Sequence, residues 1–455
     1  MISRFLLILT LLLPASVIAA DPNGHPTASR PNVVMILADD LGSVDLACYG
    51  SDDLVTPNLD RLAGHGIRFT QFYAAAPVCS PSRAAFITGL FPQRAGVPGN
   101  VSSEAGKPGM PAVTRTVGEV FAENGYVTGH VGKWHLGYTD ETMPNGQGFS
   151  KSFGHMGGCI DNYSHFFYWQ GPNRHDLWRN GQEVFADGQY FPELMANEAE
   201  QFVEENKSRP FLLYWALNTP HYPLQGSAKW RQHYQSLPMP RREYAAFVST
   251  TDEIIGRLLK KLDDEGLSDN TIIVFQSDHG HSTEERTFGG GGNSGPYRGA
   301  KFSLFEGGIR VPAIFSWPGH FTAGVREQLA TGCDWVPTLI SLCGLSASDH
   351  FDGENLTPVL QSANAPTPHQ VFHWQSGGSA NRPQWAIRKG PWKLIAHPND
   401  TSHKAPLSDA DDRFLVNLDA HVEEMENLAS KHPEVVKELE DLHNAWLLDL
   451  KRTQP

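Results

Sequence analysis

The chain of 455 residues sets 36 Lys and Arg against 50 Asp and Glu, a formal net charge of −14 at pH 7, and is 40% hydrophobic. That acidity excludes a nucleic-acid backbone as partner, because phosphates demand a basic surface, and it repels any anionic substrate at long range. The composition is that of a globular protein, and the length exceeds what one core of about 250–300 residues holds, so a large domain and a smaller one are expected.

Arg4, the apolar residues 5–13 and the small-residue stretch Val17-Ile18-Ala19-Ala20 read as a secretory leader over residues 1–20. The apolar run falls short of the roughly 20 residues that a membrane span needs. No Cys follows the cleavage point to carry a lipid. An exported protein without a membrane anchor, periplasmic or secreted, is the expectation.

Val33-Val34-Met35-Ile36-Leu37 is the first of several short apolar runs; Phe211-Leu212-Leu213-Tyr214-Trp215 and Ile272-Ile273-Val274-Phe275 follow. Runs of this length suit strands buried on both faces. Two helices are expected between them. One starts at Pro192 and continues to Phe202 and Val203. The other presents Tyr244, Val248, Thr251, Ile255, Leu258 and Leu262 on one face. The alternation predicts an α/β domain with a mostly parallel sheet. Residues 289–292, all Gly, read as a flexible loop, without the helix start and Lys-Ser/Thr pair of a phosphate loop.

Residues 361–369 read as a linker. Beyond it, Gln384-Trp385-Ala386-Ile387-Arg388 and Trp392-Lys393-Leu394-Ile395 flank Lys389-Gly390-Pro391, a hairpin signal. Phe414-Leu415-Val416 adds a strand. A helix opens at Pro433, favoured in a first turn, with Val435, Leu439, Leu442 and Trp446 on one face. The expected organisation is a leader over 1–20, a large α/β domain over 21–365 and a small α+β domain with an antiparallel sheet over 366–455.

Polar residues gather where the apolar runs end. Asp39-Asp40 follows the first, Gly132-Lys133-Trp134-His135 follows Tyr126-Val127-Thr128, Asn218-Thr219-Pro220-His221 follows the next, and Ser277-Asp278-His279-Gly280 the last. Open α/β sheets bind ligands beyond the carboxyl ends of their strands. A lone Asp there reads as a helix cap. Three carboxylates together would cost several kcal/mol in repulsion and desolvation, a cost that a hard divalent cation such as calcium or magnesium removes.

Of the five cysteines, Cys48, Cys79, Cys159, Cys333 and Cys343, an odd one must stay unpaired. Disulfides among the other four and buried free thiols both remain open. Cys79 opens the stretch Cys79-Ser80-Pro81-Ser82-Arg83-Ala84-Ala85-Phe86-Ile87-Thr88-Gly89. A helix start and Arg83 would favour its thiolate. The acidic cluster would disfavour it unless a metal bound it.

This stretch resembles the signature of the type I, formylglycine-dependent sulfatases of the alkaline phosphatase superfamily. The Gly132, Ser277 and Gly299-Ala300-Lys301 segments and Phe305-Glu306-Gly307-Gly308 are similar to further motifs of that family. Around residues 292–312 the wording is similar to its arylsulfatase A and N-acetylgalactosamine-6-sulfatase branch. The resemblance implies an alkaline phosphatase-like large domain, its central sheet flanked by helices, and hydrolysis of sulfate monoesters, on a carbohydrate or as an aryl sulfate. It implies that a maturation enzyme oxidises Cys79 to formylglycine before folding. One Ca2+ would be held by Asp39, Asp40, Asp278 and His279, with residue 79 completing the shell. Many relatives carry Asn where His279 stands, and imidazole is softer than calcium prefers.

Further roles carry over from the same motifs. The hydrated aldehyde would attack sulfur, with Asp278 helping to remove its proton. Arg83 and Lys133 would hold the diol. His221 and Lys301 would grip the sulfate, with His221 protonating the leaving alcohol, and His135 would take the second hydroxyl's proton as sulfate is expelled. A diol collapses by elimination, whereas a serine ester would need attack by water.

For the substrate, Cys159, Asp161, Asn162 and Tyr163 in the segment 155–165, with Trp169, Arg298 and His373-Trp374, line a sugar pocket or simply pack loops. Two rival readings stand beside the sulfatase. One is a phosphoester hydrolase of the same superfamily, with Ser or Thr and two metals. The other is an inactive relative that binds sulfated glycan.

Overall fold

The computed structural model describes residues 30–169, 171–379 and 382–453, so the expected leader lies outside the described residues. The first apolar run forms the strand Asn32–Ala38, buried at every position. It pairs in parallel with Phe211–Ala216 on one side and Thr271–Ser277 on the other. Val127–Lys133 and then Lys151–His155 extend the parallel block. Ala313–Ser316 adds antiparallel to Thr271–Ser277. Short edge strands complete a ten-stranded sheet.

Both faces of the parallel block are apolar because both are covered. Val33, Met35 and Leu37 point to a core with Phe86, Phe121, Trp134 and Trp335. Val34 and Ile36 point the other way, to Met195 and Val203 of the helix Phe191–Asn206 and to Ile255 and Leu258 of the helix Arg241–Asp264. Each such side chain contributes about 1.5–3 kcal/mol when fully buried. The sheet is thereby fixed in register, and its carboxyl ends are held at one edge.

The glycine run is a loop, as expected. Its chain is packed onto the large domain. Arg241 donates from Nη1 to the Gly291 carbonyl at 2.9 Å. A Cβ on Gly291 or Gly292 would strike Tyr244 or His281. All five cysteines are free, and four of them are buried.

The C-terminal strands Val371–Ser379, Arg382–Lys389, Trp392–Ala396 and Arg413–Asn417 form an antiparallel meander. Leu439 of the helix Pro433–Thr453 packs on one face with Ile387, Leu394 and Leu415. Phe372, Trp374, Ile395 and Phe414 on the other face meet Tyr73, Phe91, Leu304 and Phe305 of the large domain. Within this apolar seam, Lys393 Nζ lies 2.8 Å from Glu306 Oε1 and 3.0 Å from Glu424 Oε1, with all three side chains fully buried. Tyr73 donates to Glu306 Oε2 at 2.6 Å.

The lone ammonium between two buried carboxylates makes a direct prediction. Lys393→Met leaves uncompensated charge inside the seam and lowers stability by about 3–5 kcal/mol. A denaturant midpoint unchanged from wild type would refute that account.

Candidate active site

Four strand ends and one helix start converge on a single point. The backbone arranges this before any side chain does. Asp278 N donates to the Ala38 carbonyl at 2.9 Å, and Asp39 N donates to the Thr219 carbonyl at 3.0 Å. Asp40 turns back at φ 63 and donates from N to Asp278 Oδ1 at 3.2 Å. His135 is left-handed as well, at φ 56. Such non-glycine positions cost about 1–3 kcal/mol each and persist only where their surroundings dictate them.

Cys79 begins the helix Cys79–Thr88, all ten of whose side chains are buried. Arg83 follows one turn later on the same face. The preceding Val78 offers no side-chain cap. Asn100 supplies one instead, its Oδ1 accepting from Ser80 N at 3.0 Å. The Thr-Gly pair of the motif ends the helix. Gly89 caps it at φ 72 by donating to the Ala85 carbonyl at 2.9 Å, and a Cβ there would strike Phe351.

The side chains form one ionic network. Lys133 Nζ lies 2.7 Å from Asp39 Oδ2. Arg83 Nη2 lies 3.0 Å from Asp278 Oδ2 and 3.4 Å from Asp39 Oδ1. Lys301 Nζ lies 3.0 Å from Asp40 Oδ2, 3.2 Å from His221 Nε2 and 3.4 Å from Glu284 Oε2. His279 Nε2 is 3.4 Å from both Cys79 Sγ and Asp278 Oδ1. Cys79 Sγ is 3.9 Å from Asp39 Oδ1. Every predicted site residue on this list is therefore at the cluster, and His135, whose ring faces Gly158, lines the cleft above Cys79.

Electrostatics follows from burial set against these partners. Burial would raise Asp39, but Lys133, His221 and Arg83 hold it well below the usual carboxylate range. Burial also opposes charge on His279, yet Asp278 and the Cys79 sulfur push it up to about 9. Burial, with Lys133 nearby, lowers His135 to about 4, so it is a neutral base at pH 7. For Cys79 the structure reverses the expectation. Burial raises the thiol, but Lys133, Lys301 and His279 outweigh it and hold it well below its ordinary value. His279 Nε2 stands closer to the sulfur than Asp39 Oδ1 does.

One ligand atom each from Asp39, Asp40, Cys79 and His279 lies within 4.8 Å of the others, and all four residues are buried. Asp40 Oδ1 is buried, 3.0 Å from Lys301 Nζ and 3.5 Å from His279 Nε2. His279 donates from Nδ1 to the Gly280 carbonyl at 2.9 Å, which turns the Nε2 lone pair inward. Convergent carboxylate oxygens and one inward lone pair fit a divalent cation.

Above the cluster opens a cleft of roughly 530 Å³. Of the two readings left open for the segment 155–165, Trp169, Arg298 and His373-Trp374, packing fits most of these residues. Of the side chains named there only Cys159 lines the cleft. Arg298 is spent on Asp400 and on the carbonyls of Glu424 and Ala405. Trp374 donates to the Ala74 carbonyl in the domain seam, and Asp161 is tied to the backbone of Tyr163 and Ser164. The walls come instead from Ser103, Glu104, Phe167, Arg174, Tyr222 and Arg286. Only Tyr222, beside His221, had a sequence signal.

The Sulfatase family profile matches residues 31–345. The chain belongs to the sulfatase family. It is a sulfuric ester hydrolase. A second profile, N-sulphoglucosamine sulphohydrolase, C-terminal, matches residues 298–446. The sulfatase is 34% identical to arylsulfatase A of Homo sapiens over 90% of this chain and 83% of that one. It is 37% identical to N-acetylgalactosamine-6-sulfatase of Homo sapiens over 72% of this chain and 66% of that one. Among solved structures, Ps i-CgsB in complex with k-i-k-neocarrahexaose superposes with a TM-score of 0.82 at 31% identity, covering 92% of this chain and 93% of that one. The phosphoester reading falls with these matches.

Gly132 shows how tightly the sulfatase site is built. It sits at φ 112, and a Cβ there would fall 1.9 Å from the Ala216 carbonyl oxygen. Gly132→Ala must displace Lys133 or the neighbouring strand, and is expected to cost about 3 kcal/mol or more. A thermal unfolding curve that overlays wild type would contradict this.

Proposed function

We propose that the protein removes sulfate from sulfated carbohydrates, using formylglycine made from Cys79 and one Ca2+ held by Asp39, Asp40, Asp278 and His279 with residue 79. The observation that carries this reading is the seating of Cys79. It starts a fully buried helix at the meeting point of carboxylates and cations, where a plain structural thiol has no need to be. Free aryl sulfates would be accepted as small substrates of the same site.

The bound ion supplies a Lewis acid for a sulfate oxygen and for residue 79, and the oxidised residue supplies a hydrated aldehyde as nucleophile. The chain's own groups do the rest. Arg83 and Lys133 neutralise Asp39 and Asp278 and hold residue 79 in place. Asp278 is the acceptor for the attacking proton. Lys301 directs its ammonium to the sulfate, where charge gathers as the ester bond breaks. His221 donates from Nδ1 to the Tyr222 carbonyl at 2.8 Å, so its Nε2, facing the cleft, delivers the proton to the departing alcohol. His135, neutral at pH 7, takes the proton that frees inorganic sulfate.

The charges support this division of labour. Asp39, Asp40 and Asp278 balance Arg83, Lys133 and Lys301, so the residues alone offer no surplus for an anion. A divalent cation supplies it. The cleft is lined by Arg174 and Arg286 beside Glu104 and Glu284. This mixed, open polar wall suits a saccharide that carries more than one charged or hydroxyl group. Export through the leader 1–20 and a formylglycine-generating partner complete the proposal. No helix among the described residues is long and apolar enough to cross a membrane.

Two measurements test it. In protein co-expressed with a maturation enzyme, the peptide containing residue 79 should have the mass of the aldehyde and not of the thiol. Cys79→Ala should then release sulfate from defined saccharides at least about 10³-fold more slowly than the matured protein. Undiminished release by Cys79→Ala would overturn the mechanism, and glycan binding without release by matured protein would favour the inactive-relative reading. Chelation should abolish release, and added Ca2+ should restore it more fully than Mg2+.

A further inference from the structure

The wall of the cleft holds a second cluster of ligand atoms. A hairpin pairs Phe166–Phe167 with Arg174–His175, and the chain then runs through Gln182–Glu183 towards the helix Phe191–Asn206. His165, His175 and Asp187 come together at its base, with one ligand atom of each within 4.8 Å of the others.

The hydrogen bonds fix which ring nitrogens are free. His165 Nε2 is 3.1 Å from the Gln189 carbonyl. A carbonyl only accepts, so Nε2 carries the hydrogen and Nδ1 the lone pair. His175 Nδ1 is 3.0 Å from Glu183 Oε1. With the carboxylate ionised, Nδ1 carries the hydrogen and Nε2 the lone pair. Both lone-pair nitrogens are buried and have no hydrogen-bond partner. His165 is fully buried, and the side chain of His175 is 5% exposed.

A ring nitrogen of each histidine therefore meets a carboxylate oxygen, and two of the ring nitrogens are buried without a donor. Burying an unsatisfied polar atom costs about 1–3 kcal/mol. A water brings two hydrogens, enough for the two buried nitrogens, and leaves the exposed carboxylate beside them to solvent. A cation satisfies all three at once. We propose that His165, His175 and Asp187 bind a zinc-type divalent cation, in a site separate from the one around Cys79.

Ligand chemistry selects the metal class. Two imidazoles and one carboxylate suit zinc and its borderline neighbours, whereas calcium takes oxygen. Zinc bonds of about 2.0–2.1 Å require the ligand atoms to draw closer, and Asp187, which is exposed, can swing in. Gln189 and Glu183 stand where metal-bound histidines find their orienting acceptors. His165 also sits at φ 59, a left-handed position that its ring contacts must hold.

The site bears on the cleft through the hairpin. Phe167 and Arg174 both line the cleft, and the Arg174 guanidinium lies over the Phe167 ring at 4.2 Å from its centroid. A metal joining positions 165, 175 and 187 would pin both residues in their substrate-facing geometry.

The test uses full-length, matured protein, stripped with a chelator and reloaded with Ca2+, then titrated with ZnCl2. Metal content and the zinc dependence of thermal unfolding are read together. The expectation is one zinc per chain and a zinc-dependent rise in Tm. His175→Gln should abolish both, and the exposed Asp187→Asn should weaken binding at least about 10-fold while leaving the zinc-free Tm unchanged. Cys79→Ser should keep the zinc, which separates this site from the other cluster. Zinc retained in both His175→Gln and Asp187→Asn, zinc lost in Cys79→Ser, or no zinc in wild type would each overturn the proposal.

Discussion

Six buried ionisable groups without solvent are the constraint on which the rest of this structure depends. Asp39, Asp40, Asp278, Arg83, Lys133 and Lys301 are all buried, and they arrive from three strand ends, one helix and one loop. Removing one partner from such a set leaves a buried charge that costs several kcal/mol. The cluster can form only if all of those segments are in register together. The wholly apolar strands supply that register, since a one-residue slip would exchange the two cores on either side of the sheet.

Catalytic order is thus a by-product of fold stability. The residues proposed to touch the reacting atoms are also those whose pairing allows the strand ends to be buried. Asp39 offers an example. It is at once a partner of Lys133 and Arg83 and a prospective metal ligand, so its orientation is fixed before any ion arrives. Preorganisation of this kind lets a site act without reorganising during reaction.

Much of this was legible in the sequence because the relevant signals are local. Apolar runs of four or five residues gave three of the parallel strands, and Asp39, Asp40, His221, Asp278 and His279 lie just beyond them. The short strands Ile67–Phe69 and Gly324–Arg326 were not legible, since three residues carry no period and pairing decides them. Asn100 could not be seen as the cap of a helix twenty residues earlier, nor Arg174 as a cleft residue, because only tertiary packing brings them there. Arg298 and Trp374 misled for the converse reason. Their residue types suit a sugar, but neighbouring carbonyls and a carboxylate claim them. The thiol of Cys79 was misjudged because a sequence gives charges without distances.

Lys301 differs from the other cations in how it is carried. Its segment is a loop, moored to the small domain by Ala300 N on Thr401 Oγ1 at 3.1 Å, Gly299 N on Ser402 Oγ at 2.9 Å and Leu304 N on Gln384 Oε1 at 3.1 Å. The small sheet is thus a splint for the substrate end of the cluster. Its loosening would shift Lys301 away from Asp40 and His221 while the large sheet remained whole. The usable temperature range of the protein is then governed by its lesser half, and damage far along the C-terminal strands would read out as a fault in chemistry.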